Sequence, residues 1–321
     1  MQSKGINKAS VIRFLREYTI YVALAVVILF FAITLRGKGF FTPGNALNII
    51  RQTSALAIMG VGLTFVICTG GIDLSIGSIV GLSSLLTALA MRQGANVFLA
   101  FLVGIATGAL VGAVNGFLYS KLKMPSFIST LAMSGIIYGI ALLPTESSPV
   151  PIANDLFNEI FGSGDIGPIP ILMIWMIAAV ILGHIMLRHM KYGRQVLAVG
   201  GNEISAKYSG INTAKIKFQV MLVCGTMAGL AGCLYAGRMH TGRCTFGEGA
   251  ETQVIAGVVL GGTIMNGGKG SIIGTLVGSI LIGMISNGLV IMGLNVAQQE
   301  IVQGIIIILA IAFGSAQERE A

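Results

Sequence analysis

A chain of 321 residues that is 55% hydrophobic and only 10% charged falls far below the roughly 25% charge of a soluble domain. That excludes an ordinary water-soluble enzyme and implies a polytopic membrane protein. The net charge of +8 then reflects cytoplasmic loops facing anionic lipid, not a nucleic-acid partner.

Residues 1–19 carry Lys4, Lys8, Arg13 and Arg16 ahead of a long apolar run without a small-residue cleavage site, so an uncleaved first helix is expected. Spans of about 20 apolar residues are then expected near 20–35, 52–69, 75–91, 97–119, 126–143, 169–187, 218–237, 251–266, 271–292 and 298–314. The fold class is therefore all-α, a polytopic integral membrane helical bundle of about ten transmembrane helices forming one domain over 1–321. With both the N- and C-termini cytoplasmic, inside segments hold 14 of the 20 Lys and Arg residues. The positive-inside bias favours that orientation.

Residues 66–81, VICTGGIDLSIGSIVG, join two short apolar segments at Gly70-Gly71. Asp73 or Ser75 could cap the helix that restarts. An ionisable group at membrane depth is also by default a functional candidate, and broken helices line substrate paths. Asp73 and Ser75, with the intramembrane Asn115 and Asn287, are therefore candidate path residues. The bland alternative is that Asp73 only caps a helix and the asparagines only bond neighbouring helices.

Gly104, Gly108, Gly112 and Gly116 recur every four residues, as do Gly270, Gly274 and Gly278, and Gly225 with Gly229. This spacing puts small residues on one helix face and lets backbones approach closely. GAVNGFLYS (112–120) echoes GMISNGLVI (283–291), which suggests an inverted repeat of two five-helix halves. A second echo, GGIDLSIGSIVG with GGTIMNGGKGSIIG, implies a parallel relation instead.

Residues 144–168, PTESSPVPIANDLFNEIFGSGDIGP, contain Glu146, Asp155, Glu159 and Asp165 and no Lys or Arg. An external surface loop is expected, either a solvated connector or an acidic docking surface. Residues 188–217 are the opposite: Arg188, Lys191, Arg194, Lys207, Lys215 and Lys217 stand against the single anion Glu203, and the loop should be cytoplasmic. Gly200-Gly201 marks a turn, Asn202 can cap, and a short helix from Glu203 should stop at Gly210. Such a helix is a handle for a cytoplasmic partner, against which the small Ala206 would lie flush.

No catalytic or metal constellation emerges. Cys68, Cys224, Cys233 and Cys244 lack CxxC spacing, and three of them sit in apolar runs, which indicates packing. His184, His189 and His240 lack ligand geometry. GGTIMNGGKGS (261–271) fails the phosphate-loop pattern, which needs Gly at Thr263 and Ser or Thr at Gly270. A re-entrant turn or a short cytoplasmic connection, with Lys269 facing water, is the better account. Buried charge is too scarce for a proton relay, which weighs against a secondary transporter, and no nucleophile with its base supports an intramembrane enzyme.

Five stretches together resemble the permeases of bacterial ABC importers for monosaccharides, the ribose permease group. They are FFTPGNALNIIRQTS (40–54), GLTFVICTGGIDLSIGS (62–78), PSFISTLAM (125–133), YGRQVLAVGGNEISAKYSGINTAKIK (192–217) and AGVVLGGTIMNGGKGSIIGTLVGS (256–279). Residues 238–252, RMHTGRCTFGEGAET, depart from the ribose members. The resemblance implies a second copy of the chain, a cytoplasmic ATPase carrying ATP and magnesium, and a periplasmic sugar-binding protein. It places the protein in the inner membrane among lipid, with no cofactor of its own. It also puts ATPase coupling on Gly201, Asn202, Glu203, Ala206 and Gly210, and leaves the outer acids to the binding protein. Branched-chain amino-acid permeases are the nearest rival class.

Overall fold

Helix α2, Pro43–Cys68, shows how the sequence sets the elements. Thr42 caps it, its Oγ1 accepting from Asn45 N at 3.3 Å, and Pro43 occupies the first turn, where a missing N–H costs nothing. The helix runs Pro43–Cys68, 26 residues, or about 39 Å, more than a bilayer's hydrocarbon core. It therefore starts nine residues before the apolar run expected from 52. The polar stretch NALNIIRQ hid the true start, and the Thr-Pro cap marks it.

The structure, a computed structural model, describes residues 19–318. The N-terminal cations and Arg319 lie outside the described residues. In chain order the other helices are α1 Thr19–Thr34, α3 Ile76–Arg92, α4 Val97–Ser120, α5 Ser126–Leu142, α6 Asp155–Asn158, α7 Ile171–Arg188, α8 Lys191–Gly201, α9 Glu203–Tyr208, α10 Thr213–Met239, α11 Ala250–Leu260, α12 Ile272–Ile291 and α13 Val296–Glu318. Each expected apolar segment has its helix. Among the described residues α2, α4, α7, α10 and α12 are long and apolar enough to cross a membrane.

The centre is made by α2 and α10. Of the most apolar stretch of each, 78% and 72% is buried, against 28% for α4 and 33% for α7. Helix α10 packs on α2, α3 and α4, and α2 packs on α12 and α7. The glycine faces read from the sequence meet: a Cβ at Gly112 would lie 2.6 Å from the Met221 carbonyl oxygen, and one at Gly116 would lie 2.8 Å from that of Phe218. Gly274 approaches Gly261, just past the end of α11, and Gly278 approaches Gly257 of α11 in the same way.

Helix α11 stops six residues short of the expected 266. Gly262 has φ +84°, and Gly267 and Gly268 are also left-handed, so the chain turns back through 261–271. That turn is pinned by Gly268 N donating to Cys68 O at 3.0 Å and by Arg188 Nη2 donating to Gly270 O at 3.2 Å. Lys269 is exposed. The four cysteines are unpaired and buried.

Residues 143–170 fold over the bundle instead of looping free. Strand β1 (Val150–Pro151) pairs antiparallel with β4 (Thr241–Gly242), and β2 (Asp165–Ile166) pairs with β3 (Ile169–Pro170). Phe157 and Phe161 are buried beside Phe101 and Trp175, whose Nε1 donates to Ile160 O at 2.9 Å.

Candidate functional site: a helix break and a coupling segment

Helix α2 ends at Cys68 and α3 begins at Ile76, and the seven residues between them form a break inside the bundle. Gly70 takes φ +76°, a conformation that a side chain would strain. Asp73 Oδ1 accepts from Ser75 N at 2.9 Å and from Ser75 Oγ at 2.6 Å. Asn115 Nδ2, from α4, donates to Ser75 Oγ at 2.8 Å. Helix α5 holds the same segment, since Ile72 N donates to Ser126 Oγ at 2.9 Å and Leu74 N to Thr130 Oγ1 at 3.0 Å.

Asp73, Ser75 and Asn115 are thus brought together and fully buried. Breaking a helix frees backbone groups that must bond elsewhere, and hydroxyls from α5 take two of them. Asp73 organises the restart of α3 by a local turn to Ser75. Asn287 does not join this cluster. It accepts from Asn45 Nδ2 at 2.9 Å and ties α12 to the start of α2.

The second candidate segment is α8–α9. Asn202 Oδ1 accepts from Ser205 N at 2.9 Å and caps α9. Gly210 is left-handed at φ +81°, and Ile211 N returns to Ala206 O at 3.0 Å. The helix expected between Asn202 and Gly210 is therefore present, with both ends closed. Asn212 Oδ1 then caps α10, accepting from Lys215 N at 2.9 Å.

The facing of this helix differs from the expectation at one position: Ala206 is 4% exposed and packs into the chain's own core. The uncovered large hydrophobic side chains of α9 are Ile204 and Tyr208, 70% and 90% exposed. They stand four apart and so share a face. The signal that could have found them is an isoleucine and a tyrosine on an otherwise polar six-residue helix.

Glu203 Oε2 accepts from Lys217 Nζ at 2.6 Å, across from α10. Burial pushes the Glu203 carboxyl up, but the hydrogen bond and charge of Lys217, with Thr213 and Lys207, outweigh it and hold the group below its usual range. Beside the pair a groove of about 1080 Å³ opens between α9 and the end of α4, lined by Lys123, Lys207 and Tyr208 among others.

On the segment 143–170, Glu146, Asp155, Glu159 and Asp165 are all exposed. Asp165 is not a free charge, because Arg51 of α2 binds it at 2.7 Å. The acidic surface therefore does have one cation of its own, supplied by α2 from outside the loop. Among the described residues no group of three His, Cys, Asp or Glu comes together to hold a metal.

The family described as branched-chain amino acid transport system / permease component matches residues 45–311. The chain is 39% identical to the ribose import permease protein RbsC of Escherichia coli strain K12, over 90% of this chain and 91% of that protein. It is 38% identical to the ribose import permease protein RbsC of Bacillus subtilis strain 168, over 90% of each. It is 36% identical to the D-allose transport system permease protein AlsC of Escherichia coli strain K12, over 92% of this chain and 90% of that one. No solved structure matches the chain.

Proposed function

The chain belongs to the branched-chain amino acid transport system / permease component family, and from that membership we infer that it is the membrane-spanning permease subunit of an ABC importer for a monosaccharide. The observation that carries the cargo is end-to-end similarity to permeases named for ribose and allose, at 36 to 39% identity. The family description names branched-chain amino acids, whereas these relatives are named for ribose and allose. The protein is a multi-pass protein of the bacterial inner membrane.

The finer reading is ours. Ten helices cross the membrane with both termini in the cytoplasm, in one domain of two five-helix halves. Two copies pair, and a cytoplasmic ATPase supplies the hydrolysis of ATP with magnesium. A periplasmic binding protein delivers sugar to the acidic outer face, and lipid surrounds the apolar α4 and α7. Asp73, Ser75 and Asn115 border the path. The permease itself does no covalent chemistry.

What supports the site of ATPase coupling is α9, a short helix with closed ends, anchored by Ala206 and presenting Ile204 and Tyr208. An exposed aromatic and aliphatic pair is the kind of anchor on which interfaces concentrate their energy. Cells expressing this chain with its ATPase and binding protein should take up ribose or allose and not leucine. Leucine uptake would overturn the cargo. Ile204→Asp and Tyr208→Asp should each lower ATPase co-purification about tenfold without loss of membrane insertion. Normal co-purification would mean that α9 is not the handle. Native mass spectrometry should find two copies of the chain per complex.

A further inference from the structure

The break at Thr69–Ser75 and the helix α9 are joined by side chains from two other helices. Lys217, bound to Glu203 at 2.6 Å, also places its Nζ 4.9 Å from the centre of the Tyr119 ring. Tyr119 stands in the last turn of α4, and its hydroxyl reaches the break: a methyl group at Gly71 would lie 3.3 Å from it and 3.4 Å from Ser126 Oγ. One turn back on the same face of α4, Asn115 holds Ser75. The face of α4 that carries Tyr119 therefore grips the break at two points.

A second connection runs through backbone. At the end of α8, just before Asn202, the Gly200 backbone packs so closely on Cys68 O and Gly268 N that no Cβ fits. Gly268 N in turn donates to Cys68 O, the last residue of α2. Movement of the α8–α9 segment thus meets the end of α2 directly, and meets the break at Gly71 through Lys217 and Tyr119.

We propose that Glu203, Lys217 and Tyr119 form a mechanical relay that passes displacement of α9 to the Thr69–Ser75 break and the buried Asp73–Ser75–Asn115 cluster. These three are positioning residues. An ion pair alone would fix α9 to α10. The relay adds that the same ammonium seats on the Tyr119 ring, as cations do on aromatic faces, so that α10 and α4 move together. Close-packed elements transmit strain because they have discrete arrangements and do not deform continuously. The proposal rests on the reading that α9 meets the ATPase.

The test uses the complete transporter in proteoliposomes, reading ATP hydrolysed per sugar transported. Lys217→Met and Tyr119→Leu should raise that ratio about tenfold, a usual size for coupling between sites. The ATPase should still co-purify, because Ile204 and Tyr208 are untouched. Lys217→Arg, which keeps both contacts, should restore the ratio. The exchange of Glu203→Lys with Lys217→Glu is the sharper arm: it restores an ion pair but puts a carboxylate over the ring. The relay expects no rescue, whereas a simple anchor expects full rescue, and rescue would overturn the proposal. An unchanged ratio in assembled complexes of the single variants would also overturn it. Where the Met and Leu variants do not assemble, Tyr119→Phe decides. Loss of only the hydroxyl at Gly71 should raise the ratio by about threefold or more, and no rise counts against the relay. Failure of the α9 handle shows separately, as normal co-purification of the Ile204 and Tyr208 variants.

Discussion

Arg51 Nη2 donates to both carboxylate oxygens of Asp165, at 2.7 and 2.8 Å, and so ties the 143–170 segment to central helix α2. Arg238 Nη1 in turn donates to Arg51 O at 3.0 Å, bringing in the end of α10. The loop is thereby held to the two helices that make the core. Of its four acids, Glu146, Asp155 and Glu159 have no such tether among the described residues.

Neutralising Glu146, Asp155 and Glu159 together should slow sugar uptake when binding protein is limiting, most strongly at low salt. Charge complementarity acts chiefly on encounter rate and is screened by ions. Asp165→Asn should behave differently, loosening the loop at a cost of about 0–1 kcal/mol, as for an exposed pair. Uptake kinetics at two ionic strengths check both. Equal effects of the triple change and Asp165→Asn would remove the distinction.

Asp73→Asn keeps the Oδ1 acceptor that serves Ser75 N and Ser75 Oγ. Transport is therefore expected to be largely retained. Asp73→Ala leaves both buried donors without this acceptor, at a cost of about 1–3 kcal/mol, and should lower both melting temperature and uptake. Uptake at matched expression separates the two, and an Asn variant as damaged as Ala would show that the charge itself is used.

Gly112→Leu should fail to give a stable permease, because its Cβ would already lie 2.6 Å from Met221 O. Overpacking a filled contact costs about 1–3 kcal/mol, occasionally more. Gly135→Ala is the control: on α5 nothing lies within 4 Å of the added carbon. Yield and thermal melting in detergent measure both, and equal loss would mean that spacing by four does not mark the α4–α10 contact.

Much of this architecture could be read from the chain because its signals are local. Hydrophobic runs give the helices, the glycine period gives the α4–α10 face, and Asn202 and Gly210 bound α9 by their own conformational preferences. What the sequence concealed was direction. Ala206 looked like a docking surface because it is small, yet on a six-residue helix the facing of a single position depends on packing with α10 and the core. The same reason hid the partners of Arg51 and Lys217, which lie 114 and 14 residues away in Asp165 and Glu203. Asn115 and Asn287 looked equivalent within an apparent repeat, but only Asn115 reaches the helix break.

The pair Glu203–Lys217 also fixes a pH dependence. Contact with Lys217, supported by Thr213 and Lys207, holds the carboxyl below its ordinary 4.5 even though burial opposes this. The folded form then binds the proton less tightly than the unfolded form does. Its contribution to anchoring α9 is complete above the ordinary value and is lost as pH falls through the lowered one. Protection of the amides of residues 203–217 from hydrogen exchange, corrected for intrinsic rates, should therefore stay level from pH 8 to about 5 and fall only below 4.5. In Glu203→Gln the protection should be weaker throughout and show no step. Because the carboxyl is about half exposed, at 47%, the step should be modest and should shrink with salt. A fall already under way between pH 7 and 5 would assign the anchoring of α9 to a different group.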